Sequence, residues 1–316
     1  MTLRQDPDAA PALDYPLLGD LPLARSGVDR GCERRVDDDW LPSLMHDDGT
    51  RVLLLVKGRA PVHDGALVLV GPADVPSGAR LVYLGRSSGR EIVLADLDAA
   101  PDPAPGDADW LGLRDVAAGL SGQDAGLFVE AVAIANWHAN HTHCPRCGSP
   151  TRAVHSGWVR VCPQDESQHF PRTDPAIIVA ITDAEDRLLL GANAQWGGRR
   201  YSTLAGFVEP GESLEEAVVR EVGEEAGIRV HSTRYAGSQP WPFPCSLMLG
   251  FTAVAQSTAV VPDGEEIVDL RWFTREELSR DILEGTIGVP SGVSISSALI
   301  EHWYGGPLPE PRQMEN

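Results

Sequence analysis

Five acidic residues lie between Ser213 and Gly227 of the 316-residue chain, and their spacing suits metal chemistry. Glu221, Glu224 and Glu225 have the spacing i, i+3, i+4, which places three carboxylates on one face of a helix. Carboxylate oxygens are preferred ligands of Mg²⁺ and Mn²⁺, and a bound cation relieves the repulsion between them. The stretch therefore indicates a divalent-metal site, and the alternative is an acidic helix face exposed to solvent.

Local signals predict the helix that would carry these acids. Ser213 followed three residues later by Glu216 forms a capping box, which is typical of a helix start. Gly227 suits the left-handed residue that follows a helix end. About four turns, at ~3.6 residues per turn, fit between these two signals.

A second group of potential metal ligands precedes the acidic stretch. Cys144 and Cys147 form a C-x2-C knuckle, and Cys162 follows after a further 14 residues. This spacing is typical of a zinc ribbon, but the fourth cysteine is missing; Asp165 holds its place by spacing, and His169 is the other candidate. The sequence predicts a structural Zn²⁺ site, and the alternative is a degenerate ribbon that packs without metal.

Three histidines, His138, His141 and His143, lie just before this ribbon. They are interpreted as ordinary residues at a helix end, where a positive charge suits the helix dipole, and the alternative is a role as metal ligands.

Composition and charge restrict the partners of the chain. The formal net charge of −20 produces a surface that repels bulk nucleic acid and anionic membranes, so a phosphate substrate requires metal ions and local donors. The sequence contains no apolar run near the ~18–20 residues that span a bilayer, and its first residues lack a signal-peptide pattern. We therefore expect a cytoplasmic protein that makes no membrane contact.

Residues 1–140 are expected to form an α+β accessory domain. Residues 1–30 and the proline-rich segment 99–109 are expected to be loosely structured. Short apolar runs flanked by Gly or Pro predict a small sheet, and two later segments have helical composition. The expected strands are Arg51–Val56, Ala66–Val70, Leu81–Gly85 and Glu91–Ala95, and the expected helices are Leu111–Leu120 and Gly126–His138.

The acidic helix lies inside a second predicted domain, residues 171–304, which follows the ribbon-like module 141–170. The tail, residues 305–316, is rich in Pro and Gly and is expected to be mobile. Apolar runs and capping signals predict the remaining elements of the second domain. These are a hairpin of Ala176–Ile181 and Leu188–Leu190, strands Ser246–Ala255 and Glu265–Phe273, a helix from Thr274 and a closing helix Ile295–Tyr304.

A proline-aromatic segment, S-Q-P-W-P-F-P-C-S, spans Ser238 to Ser246. Because proline fixes an extended backbone without an amide donor, the segment is predicted to be a stiff arm that presents Trp241 and Phe243. Such rings stack on nucleobases or anchor a dimer interface. The alternative is a surface loop with incidental aromatic residues.

The stretch from Gly206 to Ile228 resembles the Nudix box, G-x5-E-x7-R-E-U-x-E-E-x-G-U with U aliphatic, at every fixed position. With the ribbon and the proline-aromatic segment, the chain resembles the NAD(H) pyrophosphatase family of Nudix hydrolases. The resemblance implies an α+β fold: a Nudix α/β/α sandwich with a mixed sheet, preceded by a small zinc ribbon and an N-terminal α+β accessory domain. It also implies Mg²⁺- or Mn²⁺-dependent cleavage of NADH or NAD⁺ to nicotinamide mononucleotide and AMP, removal of NAD caps from RNA 5′ ends, and a homodimer.

The resemblance also assigns roles to single residues. The carbonyl of Ala205 and the acids Glu221, Glu224, Glu225 and Glu266 would hold the divalent ions, with Glu225 and Glu266 as candidate general bases. Ser296 would donate its backbone amide to a phosphate, and Phe170 replaces a tyrosine that relatives often have. The full set of implied substrate-binding residues is Phe170, Phe207, Gln239, Pro240, Trp241, Pro242, Phe243, Pro244, Cys245, Ser246 and Ser296.

Other functions compete with this interpretation. A different Nudix substrate such as ADP-ribose is the leading enzymatic alternative, and the proline-aromatic segment argues against it. A nucleotide-sensing regulator with a Nudix fold is the non-enzymatic alternative. The intact box and the lack of a basic recognition helix in the sequence argue against the regulator.

Overall fold

The computed structural model describes residues 18–25, 27–196 and 199–310, which form three β-sheets and six α-helices. The first sheet and its helices make up the accessory domain, the second sheet is the ribbon, and the third sheet carries the acidic helix. Within these described ranges the helices are too short or too polar to cross a membrane.

The accessory domain is built on a seven-stranded mixed sheet. Its first strand runs parallel to its sixth, and the other pairs are antiparallel. Its long helix is buried around most of its circumference in the core of the domain, and it begins after Ser121, whose side chain accepts a hydrogen bond from the amide of Asp124. The elements are α1 (Trp40–Leu44), β1 (Arg51–Val56), β2 (Arg59–His63), β3 (Ala66–Leu67), β4 (Leu69–Val70), β5 (Arg80–Ser87), β6 (Arg90–Leu97), β7 (Asp109–Gly112), α2 (Leu113–Val116) and α3 (Gly122–Asn140).

Two predictions for this domain were wrong in detail. Leu111 belongs to β7, where it pairs with Ala60, so only Leu113–Val116 of the expected helix is helical. Strand β2, which contains Pro61, was not predicted. The end of the proline-rich segment is also ordered, because Ala108 is buried and Asp109 begins β7.

The first described residues pack closely instead of lying loosely on the surface. Leu21 and Leu23 are buried, and the amide of Leu18 donates to the carbonyl of Ala236 at 3.1 Å. Residues 1–17 and 26 lie outside the described residues. At the other end of the chain Leu308 packs against the core of the domain that contains the third sheet, which we call the catalytic domain. Residues 311–316 lie outside the described residues.

The ribbon is a three-stranded antiparallel sheet of β8 (Arg152–Val154), β9 (Val159–Val161) and β10 (Gln168–His169). It is attached to the accessory domain through Trp158, whose indole N–H donates to the carbonyl of Tyr83 at 2.7 Å.

The third sheet has seven strands and is enclosed by helices on both faces. Strands β11 and β16 run parallel at its centre, so the expected mixed sheet is confirmed. The elements are β11 (Asp174–Thr182), β12 (Leu188–Asn193), β13 (Tyr201–Ser202), β14 (Leu204–Phe207), α4 (Leu214–Ala226), β15 (Val230–Trp241), β16 (Ser246–Ala255), β17 (Ile267–Phe273), α5 (Arg275–Leu283) and α6 (Ile295–Tyr304).

Side-chain alternation along β11 explains the sandwich. Ile177 and Val179 point to the face covered by α4, whereas Ile178 and Ala180 point to the face covered by α5 and α6. Because a strand sends successive side chains to opposite faces, an apolar run of this kind is buried on both sides. The α/β/α architecture expected for the domain is therefore confirmed.

The two large sheets have the same strand order. The strand order of the accessory sheet is β3-β2-β1-β6-β5, and that of the third sheet is β13-β12-β11-β16-β15. In each sheet the central pair of strands is parallel. They differ in the connection that crosses one face. In the third sheet, helix α4 lies in the connection between β14 and β15. In the accessory sheet, the equivalent connection between β4 and β5, the described residues 71–79, contains only a short 3₁₀ turn, Pro72–Asp74.

Candidate active site

Helix α4 begins and ends where the sequence predicts. Ser213 and Glu216 exchange side-chain to backbone hydrogen bonds at 3.2 Å each, and Gly227 adopts the left-handed conformation with φ of 67°. These caps satisfy the free backbone groups at both helix ends. The helix therefore presents its acids from fixed ends, and the loop 208–213 connects it to β14.

Arg220 connects helix α4 to the acidic loop, residues 208–213, which contains Glu209 and Glu212. Its guanidinium donates to Glu212 at 2.6 and 3.1 Å, to Glu221 at 2.9 Å, to Glu224 at 3.0 Å and to the carbonyl of Phe207 at 2.9 Å. The hydrogen bond from Arg220 lowers the pKa of Glu212. The ion pair of Glu212 and Arg220 thus fixes the loop before α4 against the helix.

Glu225 differs from its neighbours because it is buried, with 5% of its surface exposed. Burial, reinforced by the charges of Glu266, Glu221 and Asp263, raises the pKa of Glu225 to about 8. Its Oε2 atom has no hydrogen-bond partner among the described residues. An ionised carboxylate is costly in such a place unless a cation compensates it. The acidic face of α4 is therefore not simply a solvated helix surface.

Glu221 lies against the backbone of β14. A side-chain carbon at Gly206 would overlap the carboxylate of Glu221, so only glycine permits this approach. Burial also raises the pKa of Glu221, against the opposing effect of Arg220.

These residues fit a divalent ion by donor chemistry. Carboxylates and a backbone carbonyl, that of Ala205, are the ligands expected for Mg²⁺ or Mn²⁺, and the buried, unpartnered oxygen of Glu225 is open to a cation. Glu221 and Glu224 are paired with Arg220 in this structure, so their ligand roles stay predictions.

A cavity of about 690 Å³ opens beside the acids, within the size range of small-molecule sites. Its wall combines Glu225 and Glu266 with residues from β14, from the adjacent strands β15 and β16, and from α6. It also includes Arg114 of the accessory domain, which the sequence did not single out because it lies outside every motif. The lining includes Asn193, Arg200, Ser202, Thr203, Ala205, Trp241, Met248, Ser294 and Ser296.

The proline-aromatic segment is a hairpin, not an extended arm. Residues through Trp241 finish β15, a turn covers 242–245, and Ser246 begins β16 and pairs with Trp241. Trp241 and Phe243 pack against the core of the accessory domain, with the guanidinium of Arg114 4.9 and 3.9 Å from their ring centres. The expected extended conformation is therefore found in 238–241, which belong to β15, and is wrong for 242–245, where the chain turns so that β16 pairs with β15.

The other implied substrate residues lie in different surroundings. Gln239 is fully buried, and its side chain bonds the backbone of Leu23 and Val293. The Cys245 thiol donates to Asp174 at 3.2 Å, and of the segment Ser238–Ser246 Trp241 alone is in the cavity wall. The substrate contacts of Gln239, Pro240, Pro242, Phe243, Pro244, Cys245 and Ser246 stay predictions.

Phe170 and Phe207 are both exposed, by 60% and 58%. Exposed rings of this size suit stacking on a base or contact with a second protein. Their roles in substrate binding stay predictions.

Ser296 is part of a hydroxyl cluster in the cavity wall. Its amide donates to the Ser294 hydroxyl at 3.2 Å, and its own hydroxyl lies 2.8 Å from those of Ser202 and Thr203. The amide expected to bind a phosphate is therefore capped by the Ser294 side chain in this structure, and its phosphate contact stays a prediction.

The ribbon brings a second set of metal ligands together. The ligand atoms of Cys144, Cys147, Cys162 and Asp165 all lie within 4.8 Å of one another, the one such group found among the described residues. Three thiolates and a carboxylate suit tetrahedral Zn²⁺. Of the two candidates for the fourth ligand, Asp165 is in the group, whereas His169 is outside it and bonds Ser167 at 3.1 Å.

The preceding histidines are not in this group of ligands. His138 is buried, and burial lowers its pKa to about 4. Its Nε2–H donates to the carbonyl of Gly157 at 2.8 Å, and Nδ1 accepts from Arg160 at 3.0 Å. For His138 the expected cation at the helix end is wrong, because a neutral ring joins α3 to the ribbon.

The sequence matches family models along most of its length. Residues 34–137 match the NADH pyrophosphatase-like rudimentary NUDIX domain, residues 139–170 the NADH pyrophosphatase zinc ribbon domain, and residues 172–288 the NUDIX domain. These three matches coincide with the accessory domain, the ribbon and the catalytic domain of the structure.

Three named proteins are similar to this chain. The NAD-capped RNA hydrolase NudC of Mycobacterium bovis is 37% identical over 306 residues, covering 89% of this chain and 94% of that protein. The protein of the same name from Stutzerimonas stutzeri is 41% identical over 230 residues, covering 72% and 79%. NUDT12 of Macaca fascicularis, also a NAD-capped RNA hydrolase, is 38% identical over 58% of this chain and 42% of its own. The chain therefore belongs to the NADH pyrophosphatase family of Nudix hydrolases.

Proposed function

We propose that this protein hydrolyses the diphosphate bond of NADH or NAD⁺ to nicotinamide mononucleotide and AMP, and removes NAD caps from RNA 5′ ends. One observation carries the proposal: the acids Glu225 and Glu266 share a cavity with Trp241 of the S-Q-P-W-P-F-P segment. The similarity to NAD-capped RNA hydrolases across most of the chain supports the same substrate class.

The reaction joins a water oxygen to one phosphorus and breaks its bond to the bridging oxygen, which leaves on the other phosphate, while water gives up a proton. Mg²⁺ or Mn²⁺, when bound, would neutralise the diphosphate and lower the pKa of the attacking water. Glu225 and Glu266 are the candidate bases that accept its proton. Burial raises the pKa of Glu225 to about 8, which suits a group that accepts a proton near neutral pH.

The other residues of the site would bind and orient the substrate. Arg114 supplies a positive charge to the cavity wall, which offsets the acidic surface for an anionic substrate. Trp241 supplies an apolar ring in the same wall, and exposed Phe207 would stack on a base. Arg220 would hold the acidic loop against α4 during the reaction.

The two metal sites would have different tasks. The acids of α4 with Glu266 and the carbonyl of Ala205 would hold two or three Mg²⁺ or Mn²⁺ ions for catalysis. Cys144, Cys147, Cys162 and Asp165 would hold one Zn²⁺ that stabilises the ribbon.

We also propose that the protein works as a homodimer. The exposed ring of Phe170 offers apolar surface that a second copy would bury. Light scattering during size-exclusion chromatography should give twice the chain mass of 33.9 kDa, and a mass of one chain at micromolar concentration would contradict the proposal.

A product assay tests the proposed activity. Purified protein is incubated with NADH, NAD-capped RNA or ADP-ribose in Mg²⁺ or Mn²⁺, and the products are identified by mass. Reduced nicotinamide mononucleotide with AMP from NADH, together with removal of the RNA cap, is the expected result. Cleavage of ADP-ribose alone would contradict the substrate assignment, and the absence of any product from a folded, metal-bound protein would contradict the enzymatic role.

A further inference from the structure

The turn of the β15–β16 hairpin is held by a residue of the accessory domain. The side-chain amide nitrogen of Asn136, on α3, donates to the carbonyl oxygen of Pro242 at 2.9 Å and to that of Pro244 at 3.1 Å. An amide NH₂ group has two hydrogens, so both are used by this one turn. Asn136 therefore spans the turn between the two prolines.

Few other hydrogen bonds hold this turn, although the rings of Trp241 and Phe243 also pack against the accessory core. Pro242 and Pro244 have no amide hydrogen, so they cannot join the ladder between β15 and β16 as donors. The backbone bonds on either side are Phe243 N–H to Trp241 at 2.7 Å and Asp174 N–H to Cys245 at 2.8 Å. The carbonyls of both prolines depend on Asn136 for their partners within the described hydrogen bonds.

The support behind Asn136 is rigid. Its neighbours on α3, Ala135 and Trp137, are buried in the core of the accessory domain, and the helix is capped by Ser121. Buried positions of a capped, 19-residue helix move little compared with a surface loop. The asparagine therefore transmits the position of the accessory core to the hairpin.

The position of the turn matters for the cavity. Trp241, the last residue of β15 before the turn, lines the cavity together with Glu225 and Glu266. Its ring packs edge-on against Phe243 at 5.1 Å between centres, so a shift of the turn displaces both rings. The cavity wall at Trp241 is thus coupled to a helix that belongs to a different domain.

We propose that Asn136 is a positioning residue through which the accessory domain sets the place of Trp241 in the active-site cavity. The contribution of α3 is then to the shape of the catalytic site and not only to the stability of its own domain. The kinetic part of this inference rests on the proposed dinucleotide hydrolysis, whereas the positioning itself does not.

Hydrogen exchange measured by mass spectrometry tests the positioning directly. Asn136→Ala removes both donors, and Asn136→Asp replaces them with a carboxylate oxygen that faces two carbonyl oxygens. The matched control is Asn140→Asp, one turn further along α3, because that exposed side chain bonds only the carbonyl of Asn136. The reporters are the amides of Trp241, Phe243, Cys245 and Ser246.

We expect both Asn136 variants to raise exchange in the peptide 241–246 by about 10-fold, as the loss of two hydrogen bonds implies, with the larger effect for Asn136→Asp. Exchange in α3 and in residues 177–182 of β11 should match the wild type, and Asn140→Asp should leave the turn unchanged. Unchanged exchange in 241–246 would overturn the inference. A general rise through α3 and β11 would also overturn it, because it would show a merely structural role.

Steady-state kinetics test the consequence for the site. With NADH, the Asn136 variants should raise KM by roughly 10-fold while the Mn²⁺ concentration for half-maximal activity stays unchanged, since the acids do not contact the turn. A change in metal activation with an unchanged KM would contradict the inference. If the wild type does not cleave NADH, the proposed function fails, and the exchange experiment alone decides the positioning.

Discussion

The carboxylate oxygen Oδ1 of Asp263 accepts a hydrogen bond from the backbone N–H of Glu266 at 3.1 Å. The same oxygen accepts bonds from the amides of Glu265 at 3.0 Å and Ile267 at 2.9 Å. One side chain thus folds the loop before β17 and sets the direction in which Glu266 leaves it. The position of Glu266 is therefore controlled by Asp263, which lies outside both the Nudix box and the proline-aromatic segment.

Removal of this side chain should weaken the metal site. We expect Asp263→Ala to raise the Mn²⁺ concentration for half-maximal activity about 10-fold, because Glu266 loses its fixed direction. Asp263→Asn keeps an oxygen acceptor and should retain most of the metal affinity, which separates positioning from charge. Metal titration of NADH hydrolysis measures both, and an equal loss in the two variants would contradict positioning by hydrogen bonds.

Glu225 should be indispensable for turnover. We expect Glu225→Gln to lower kcat by about 10²–10⁴-fold with the fold intact, because the buried carboxylate is proposed both as a metal ligand and as a base. The control is Glu215→Gln, an exposed acid on the same helix that should keep wild-type turnover. Kinetics at saturating Mn²⁺, with circular dichroism for the fold, provide the measurement. Near-normal turnover of Glu225→Gln would exclude both roles.

The same residue should make the metal-free protein less stable at higher pH. The pKa of Glu225 rises from its ordinary 4.5 to about 8 in the folded protein, so the folded state keeps a proton that the unfolded chain releases between these values. Stability from this group is fully present below pH 4.5 and is lost as the pH rises through 8.

Thermal unfolding checks this sign. In chelator-treated samples the Tm of the wild type should fall more steeply from pH 4.5 to 8 than the Tm of Glu225→Gln, which has no titrating group there. Because both proteins contain the same other titrating residues, the contribution of those residues to the pH dependence of Tm cancels in the comparison. Saturating Mn²⁺ should flatten the wild-type curve, because a bound cation stabilises the carboxylate. Parallel curves for the two metal-free proteins would refute the prediction.

The ribbon should bind zinc through Asp165. We expect about one zinc ion per chain in the wild type, less in Asp165→Ala, and tighter retention in Asp165→Cys, which completes four thiolates. His169→Ala serves as the control and should keep wild-type zinc, because the imidazole lies outside the ligand group. Elemental analysis after dialysis against a chelator gives the content. Loss of zinc in His169→Ala with retention in Asp165→Ala would reverse the assignment.

Local signals in the sequence were sufficient for α4 and for the sandwich around it. Ser213, Glu216 and Gly227 act within one or two turns of helix, so their effect can be predicted without the rest of the fold. The double-sided apolar run of β11 likewise predicts burial on both faces. The spacing of the acids placed them on one helix, but it could not distinguish buried Glu225 from exposed Glu224, because burial depends on the packing of α4 against the sheet.

Contacts between distant segments could not be predicted in this way. Asn136 and Pro242 are 106 positions apart, and neither residue carries a pattern that indicates the other. Arg114 enters the cavity only because the accessory domain packs against the hairpin. The composition of the segment 111–120 suits a helix or a strand, and only the pairing of Leu111 with Ala60 of β2 makes the start of this segment a strand.

The shared strand order of the two large sheets is what duplication of one ancestral domain would leave. After such an event the two copies are free to divide their tasks. The copy that retains a full helix with its acids between the fourth and fifth strands keeps the chemistry. The copy with only the 3₁₀ turn Pro72–Asp74 at that place has no equivalent of the acidic helix among its described residues, and its part in the site is to supply Arg114 to the cavity wall and Asn136 to the turn beside it.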